Sequence, residues 1–176
     1  MTKLLNRMLH ASALFFVLGP AAASAQVVGI DGEGFCRWDT IQDALDDGEH
    51  DLVIANNAGA LSTGAVWEIT NMPAAEVRIS GAGPSCLGSG VAILDMSTGA
   101  SRFPFAKLGS NAILRLEDLE FREGAGSFIW LQSSLAELHT RNVTFDDGSS
   151  GVIYAPLGKA FLKDTDVTGV TGGSAI

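Results

Sequence analysis

AILRLEDLEF (Ala112–Phe121), AELHTRNVTF (Ala136–Phe145) and AFLKDTDVTG (Ala160–Gly169) align without gaps at a spacing of 24 residues. The alignment sets Leu114, Leu138 and Leu162 in one column and Leu119, Val143 and Val167 in a second. Phe121 and Phe145 form a third, which Gly169 closes, and Phe128, Val152 and Ile176 keep the same phase further on. A short repeat of strands and tight turns is the pattern of a solenoid, in which each repeat buries its apolar face on its neighbours.

Within a repeat, Leu114 and Leu116 alternate with Ile113 and Arg115, so one parity faces inward. Glu117-Asp118 interrupts the alternation, and Leu119 and Phe121 resume it. Such an interruption turns the chain and calls for a residue that tolerates left-handed backbone angles, Asp and Asn being the best after Gly. The alignment therefore assigns Asp118, Asn142 and Asp166 to a ladder of turn residues. Each strand then pairs in parallel with its copy, about 4.8 Å along the axis. The expected fold is all-β: a right-handed parallel β-helix of roughly five rungs, with a short capping helix before it. Asp164 falls on the inward column of Leu116 and Thr140, where a carboxylate is out of place.

Ahead of the repeats, Trp38–Leu45 reads as the capping helix, with Asp39 or Thr40 as N-cap and Gly48 as its stop. Ile41, Ala44 and Leu45 share its apolar face. Short strands follow at 51–55, 65–69, 76–80, 91–94 and 102–108, the last weakened by Pro104. The coil then runs to Ile176 with no cap at its C-terminal end. An open rung invites pairing, so self-association through residues 159–176 is expected, with a frayed tail as the competing outcome.

Residues 1–25 have the three parts of a secretory signal peptide. Lys3 and Arg7 come first, then the apolar run Ala11–Leu18, then Ala23-Ser24-Ala25 before Gln26. The run is too short to span a bilayer, so the mature chain is expected to be secreted or surface-exposed with no transmembrane segment. This divides the chain into a signal peptide (1–25), an N-terminal segment with the helix (26–50) and the β-helix (51–176). The formal charge is −9, and without Lys3 and Arg7 nine basic residues face 20 acidic ones, a balance of −11. Phosphate-rich partners would be repelled, which argues against nucleic acid. Cys36 and Cys86 are the only cysteines, and an even count behind an export signal predicts a disulfide.

Taken together, the stretch from residue 38 to 176 resembles the parallel β-helix proteins of the pectate-lyase-like superfamily. It is most similar to the secreted and autotransporter-passenger branch, including polymorphic outer-membrane protein repeats. Thr40–Leu45 running into Asp51–Ile54 looks like that fold's cap and first strand. Gly172-Gly173-Ser174-Ala175-Ile176 and Val143–Asp147 resemble its repeat elements, with a Ser inserted in one and an Asn missing from the other. The superfamily hosts lyases, hydrolases, adhesins and inert passengers, so the likeness implies a fold and leaves the function open.

Chemistry is sparse. Asp146-Asp147 is the one adjacent pair of aspartates in the repeats; it lies in a turn-like FDDGSSG, and no cofactor is implied. Arg115, His139 and Lys163 fall in one outward column, which is either a grip for an acidic glycan or a solvated face offset by Glu117 and Glu137. Trp130 and Tyr154 are either a sugar-stacking pair or core, because both parities are apolar there. The expectation is an exported, non-catalytic β-helix, or a passenger or adhesin segment, with carbohydrate or a cell surface as partner. The alternative is a polysaccharide-active enzyme.

Overall fold

The computed structural model describes residues 26–30, 37–38, 40–56, 68–82, 90–96, 104–123, 126–148 and 151–171. The signal peptide, Cys36, Cys86 and the Gly172–Ile176 element lie outside the described residues. Among the described residues ten strands and one helix occur, in the order β1 (Gln26–Ile30), α1 (Ile41–Asp46), β2 (Asp51–Asn56), β3 (Glu76–Gly81) and β4 (Ala92–Asp95). Then follow β5 (Ala106–Leu108), β6 (Ile113–Arg122), β7 (Ile129–Leu131), β8 (Glu137–Asp146), β9 (Ile153–Tyr154) and β10 (Lys159–Thr168).

Every registered pairing is parallel. One sheet runs β1-β2-β3-β6-β8-β10, with β4 pairing the second half of β6, and a smaller sheet runs β5-β7-β9. The strands stack as a parallel β-helix of about four turns. Roughly five were expected from a constant 24-residue step, but the early rungs are longer. Leu52 pairs with Ile79, 27 residues on, and Val77 with Leu114, 37 residues on. Gln26–Ile30 adds a strand that the short Val27-Val28 pair gave no alternation to reveal.

The core lies between the two sheets. Inward positions stack in registered ladders: Leu52 on Ile79, Leu116 and Thr140, and Leu94 on Phe121 and Phe145. Phe105, Phe121, Phe128 and Phe145 are buried and form one aromatic cluster, with the Phe121 and Phe145 rings stacked at 5.1 Å. Helix α1 adds Ile41, Ala44 and Leu45 to this core. Thr40 is its N-cap, accepting from the Asp43 N–H at 3.0 Å. At its other end the N–H groups of Gly48 and Glu49 return to the carbonyls of Leu45 and Ala44, a Schellman closure with Gly48 at φ 85°. The helix is shorter than Trp38–Leu45: Trp38 precedes it and donates through Nε1 to Asp47 Oδ2 at 2.8 Å.

Two features correct the sequence-derived alignment. Strands β6 and β8 keep the 24-residue step, Leu114 facing Leu138, but β10 meets β8 at a step of 22, with Lys159 facing Glu137. The leucine column therefore continues with Ala160, and Leu162 lies over Thr140. The cause is local. Strands β7 and β9 still pair at 24 (Ile129 with Ile153), so the corner from β9 to β10 is two residues shorter than that from β7 to β8. Gly158 permits the short corner, since a Cβ there would lie 2.5 Å from Leu131 Cβ and 2.9 Å from the Ala136 carbonyl oxygen.

The same shift moves the turn ladder. The left-handed positions are Asp118 (φ 54°), Asn142 (φ 52°) and Asp164 (φ 47°), not Asp166, which pairs with Thr144 on an exposed stretch. The inward carboxylate expected at Asp164 thus disappears, because that residue is the exposed turn itself. A second left-handed ladder, missed in the sequence, comprises Glu123 (φ 55°), Asp147 (φ 59°) and Gly169 (φ 66°).

Candidate functional site

The parity that fills the core fixes what faces out. On the first arm of the long sheet, ahead of the Asp118–Asn142–Asp164 turn, three outward columns cross β6, β8 and β10. They are Ile113/Glu137/Lys159, Arg115/His139/Phe161 and Glu117/Arg141/Lys163. Of the predicted column, Arg115 and His139 are neighbours, but Phe161 follows them, its ring stacked on His139 at a centroid distance of 4.6 Å. Lys163 is displaced to the next column, beside Arg141.

Between the second and third columns runs an open groove of about 470 Å³. Arg115, His139 and Phe161 form one wall and Glu117, Arg141 and Lys163 the other, over the strand segments at Leu116, Thr140 and Leu162. The groove crosses the strands, so it follows the coil axis and offers a new pair of side chains every 4.8 Å or so.

Its polar side chains are arranged in pairs. Arg115 donates to Glu76 at 2.6 Å. Glu117 lies between Arg78 at 2.8 Å and Arg141 at 2.5 Å. His139 Nε2 is 3.2 Å from Glu137 Oε2. Lys159 Nζ is 3.8 Å from Glu137 Oε1, and Lys163 has no ion-pair partner among the described residues. The hydrogen bond from Arg115, aided by its charge, holds the Glu76 carboxyl below its ordinary range. For Glu117, burial pushes the carboxyl up, but the Arg78 hydrogen bond and the charges of Arg78 and Arg141 outweigh it and leave it lowered. An exposed pair such as Arg115–Glu76 contributes about 0–1 kcal/mol, so an anionic ligand can displace it at small cost.

Charge is segregated across the turn ladder. On the first arm of β6, β8 and β10, Arg115, Arg141, Lys159 and Lys163 stand against Glu117 and Glu137. On the second arm the outward positions include Glu120, Asp146 and Asp166 against Arg122 alone. The first arm is a cationic strip on a chain of net charge −9.

The second sheet settles the parity of the aromatic pair. Ile129 and Leu131 are buried, so Trp130 and Tyr154 face outward, registered one over the other at 6.0 Å, with Lys107 Nζ 5.1 Å from the Trp130 ring. The carboxylates considered for catalysis hold structural places. Asp146 accepts from Thr168 Oγ1 at 2.6 Å, and Asp147 occupies the second left-handed ladder. Among the described residues no cluster of three or more His, Cys, Asp or Glu is placed to hold a metal ion, and no helix is long and apolar enough to cross a membrane.

Sequence reading missed Arg141 and Phe161 as groove residues. The available signal was Gly158, a glycine at a corner whose counterpart in the preceding rung is longer. Comparison of the chain with protein-family profiles, curated proteins and solved structures finds no match. Its class, a parallel β-helix, rests on its own strand pairing.

Proposed function

We propose that this protein is an exported, non-catalytic parallel β-helix of the pectate-lyase-like kind, an adhesin-like or passenger segment that works through its outer surface. Its partner is an extended anionic carbohydrate lying along the groove between Arg115/His139/Phe161 and Glu117/Arg141/Lys163. The observation that carries this reading is the cationic strip on an otherwise acidic chain, set along a groove that runs with the coil axis. Phe161, half exposed above His139, offers an apolar face to a sugar ring in the same groove.

The test is binding of the protein to immobilised polygalacturonate and to neutral dextran over a salt series. Binding to the acidic polymer alone, weakened by salt and reduced at least about tenfold in R141Q/K163Q, is the expected result, since each lost charge contact weakens with ionic strength. Equal binding to dextran, or no effect of the double variant, would remove the groove from the account. Release of new chain ends that stops in D146A/D147A would replace the non-catalytic reading with an enzyme. Export is read from the mature N-terminus, expected at Gln26; intact Met1 in a cytoplasmic fraction would refute it.

A further inference from the structure

The last described strand, β10, is matched to itself. Burial falls abruptly from β8 to β10 at equivalent inward positions: Leu138, Thr140, Val143 and Phe145 are buried, whereas Ala160, Thr165 and Val167 are partly exposed and Leu162 is 37% exposed. Strand β10 has one sheet neighbour, β8, among the described residues. The Asp164 turn interrupts its alternation, so the inward residues are Ala160 and Leu162 before it and Thr165 and Val167 after it.

We propose that the edge of β10 opposite β8 binds β10 of a second copy, antiparallel, about a two-fold axis between Lys163 and Asp164. The turn makes this possible. In an uninterrupted strand, a two-fold between adjacent residues would set inward side chains against outward ones, because facing residues share a face of the sheet. Here the parity reverses at Asp164, so Ala160 faces Val167 and Leu162 faces Thr165, inward against inward.

The hydrogen-bonding groups agree. The Lys159 N–H donates to the Ala136 carbonyl, and the Thr168 carbonyl accepts from the Asp147 N–H, so these residues turn their backbone groups toward β8. Alternation then points those of Ala160, Leu162, Thr165 and Val167 to the opposite edge, as the facing pairs require. The register also sets Lys163 of each copy opposite Asp164 of the other, two opposite-charge contacts, while Lys159 meets uncharged Thr168. A bent strand of this kind is self-complementary in shape, backbone and charge, the requirement for an isologous contact.

The proposal is independent of what the groove binds, and its readout is mass. Sedimentation equilibrium of the whole protein over a concentration series should give a dimer, weakened at least about tenfold in K163E, which sets Glu against Asp164. Relief in K163E/D164N, where Asn keeps a residue tolerant of the left-handed turn, is expected to restore association. Carbodiimide cross-linking of mixed light and heavy-isotope chains should join Lys163 of one to Asp164 of the other. A monomer at every concentration would overturn the proposal, as would open-ended oligomers or a dimer indifferent to K163E. Circular dichroism matching the wild-type protein excludes unfolding as the cause of any loss.

Discussion

Asn142 sits one rung from Asp118 and donates to it, Nδ2 to Oδ1, at 2.7 Å, while both residues hold left-handed backbone angles. The side chain thus bridges two successive turns of the coil at the place where each turn is strained. That same amide nitrogen is the one a glycan on the Asn142-Val143-Thr144 sequon would occupy, which would leave it a single N–H for the bridge.

Replacing Asn142 by Ala removes the bridge and leaves a side chain ill-suited to positive φ. A loss of about 1–3 kcal/mol is expected, with Asn142→Gly intermediate because it restores only the backbone freedom. Asp164→Ala should cost about 1–2 kcal/mol for the same backbone reason, whereas Asp166→Ala should stay within about 0.5 kcal/mol. Urea unfolding of these four variants checks the register directly: a larger loss at Asp166 than at Asp164 would restore the 24-residue alignment.

Gly158 is expected to tolerate no side chain. A Cβ 2.5 Å from Leu131 Cβ must displace the shortened corner, so Gly158→Ala should lose about 2 kcal/mol. Gly109, at another corner, has open space around its position and no left-handed angle. Gly109→Ala should be neutral or gain a few tenths of a kcal/mol through a less flexible unfolded chain. The difference in melting temperature between the two variants is the measurement.

The aromatic column separates core from surface within the same repeat. Phe145→Ala should cost about 3–5 kcal/mol, because its ring is buried between Phe121 and Phe128 and leaves a cavity. Phe161→Ala, at 49% exposed, should cost under about 1 kcal/mol. If Phe161 is part of the binding groove, its removal weakens ligand capture while stability stays near wild type. Denaturant midpoints and binding on the same protein preparations distinguish the two effects.

Glu117 carries a pH signature. Its carboxyl is lowered from the ordinary value of 4.5, so the folded state holds this carboxylate better than the unfolded chain does. The stability it contributes is complete above that value and is lost as pH falls through the lower folded one. Wild-type protein should therefore exceed Glu117→Gln in unfolding midpoint at pH 7, with the gap closing as pH drops below about 4. A gap that widens on acidification would show that the carboxyl is raised, the opposite of what its two arginine neighbours dictate.

The amino-acid sequence by itself determined that this chain coils. Alternating inward residues, a turn residue tolerant of positive φ in each repeat and the phase of Leu114 with Leu138 are local properties, and local sterics enforce them wherever the strand lies. The N-cap at Thr40 and the stop at Gly48 were legible for the same reason, since a helix end is satisfied by its own neighbours. What only the tertiary structure decided is which residue stands over which. The two-residue shortening at Gly158 moved Asp164 into the turn, put Phe161 over His139 and carried Lys163 to the side of Arg141. Register is a property of two strands and the corner between them, so no periodicity within one strand contains it. The orientation of Trp130 and Tyr154 was hidden likewise, because both faces of that strand are apolar and only packing against Phe128 and its neighbours selects one.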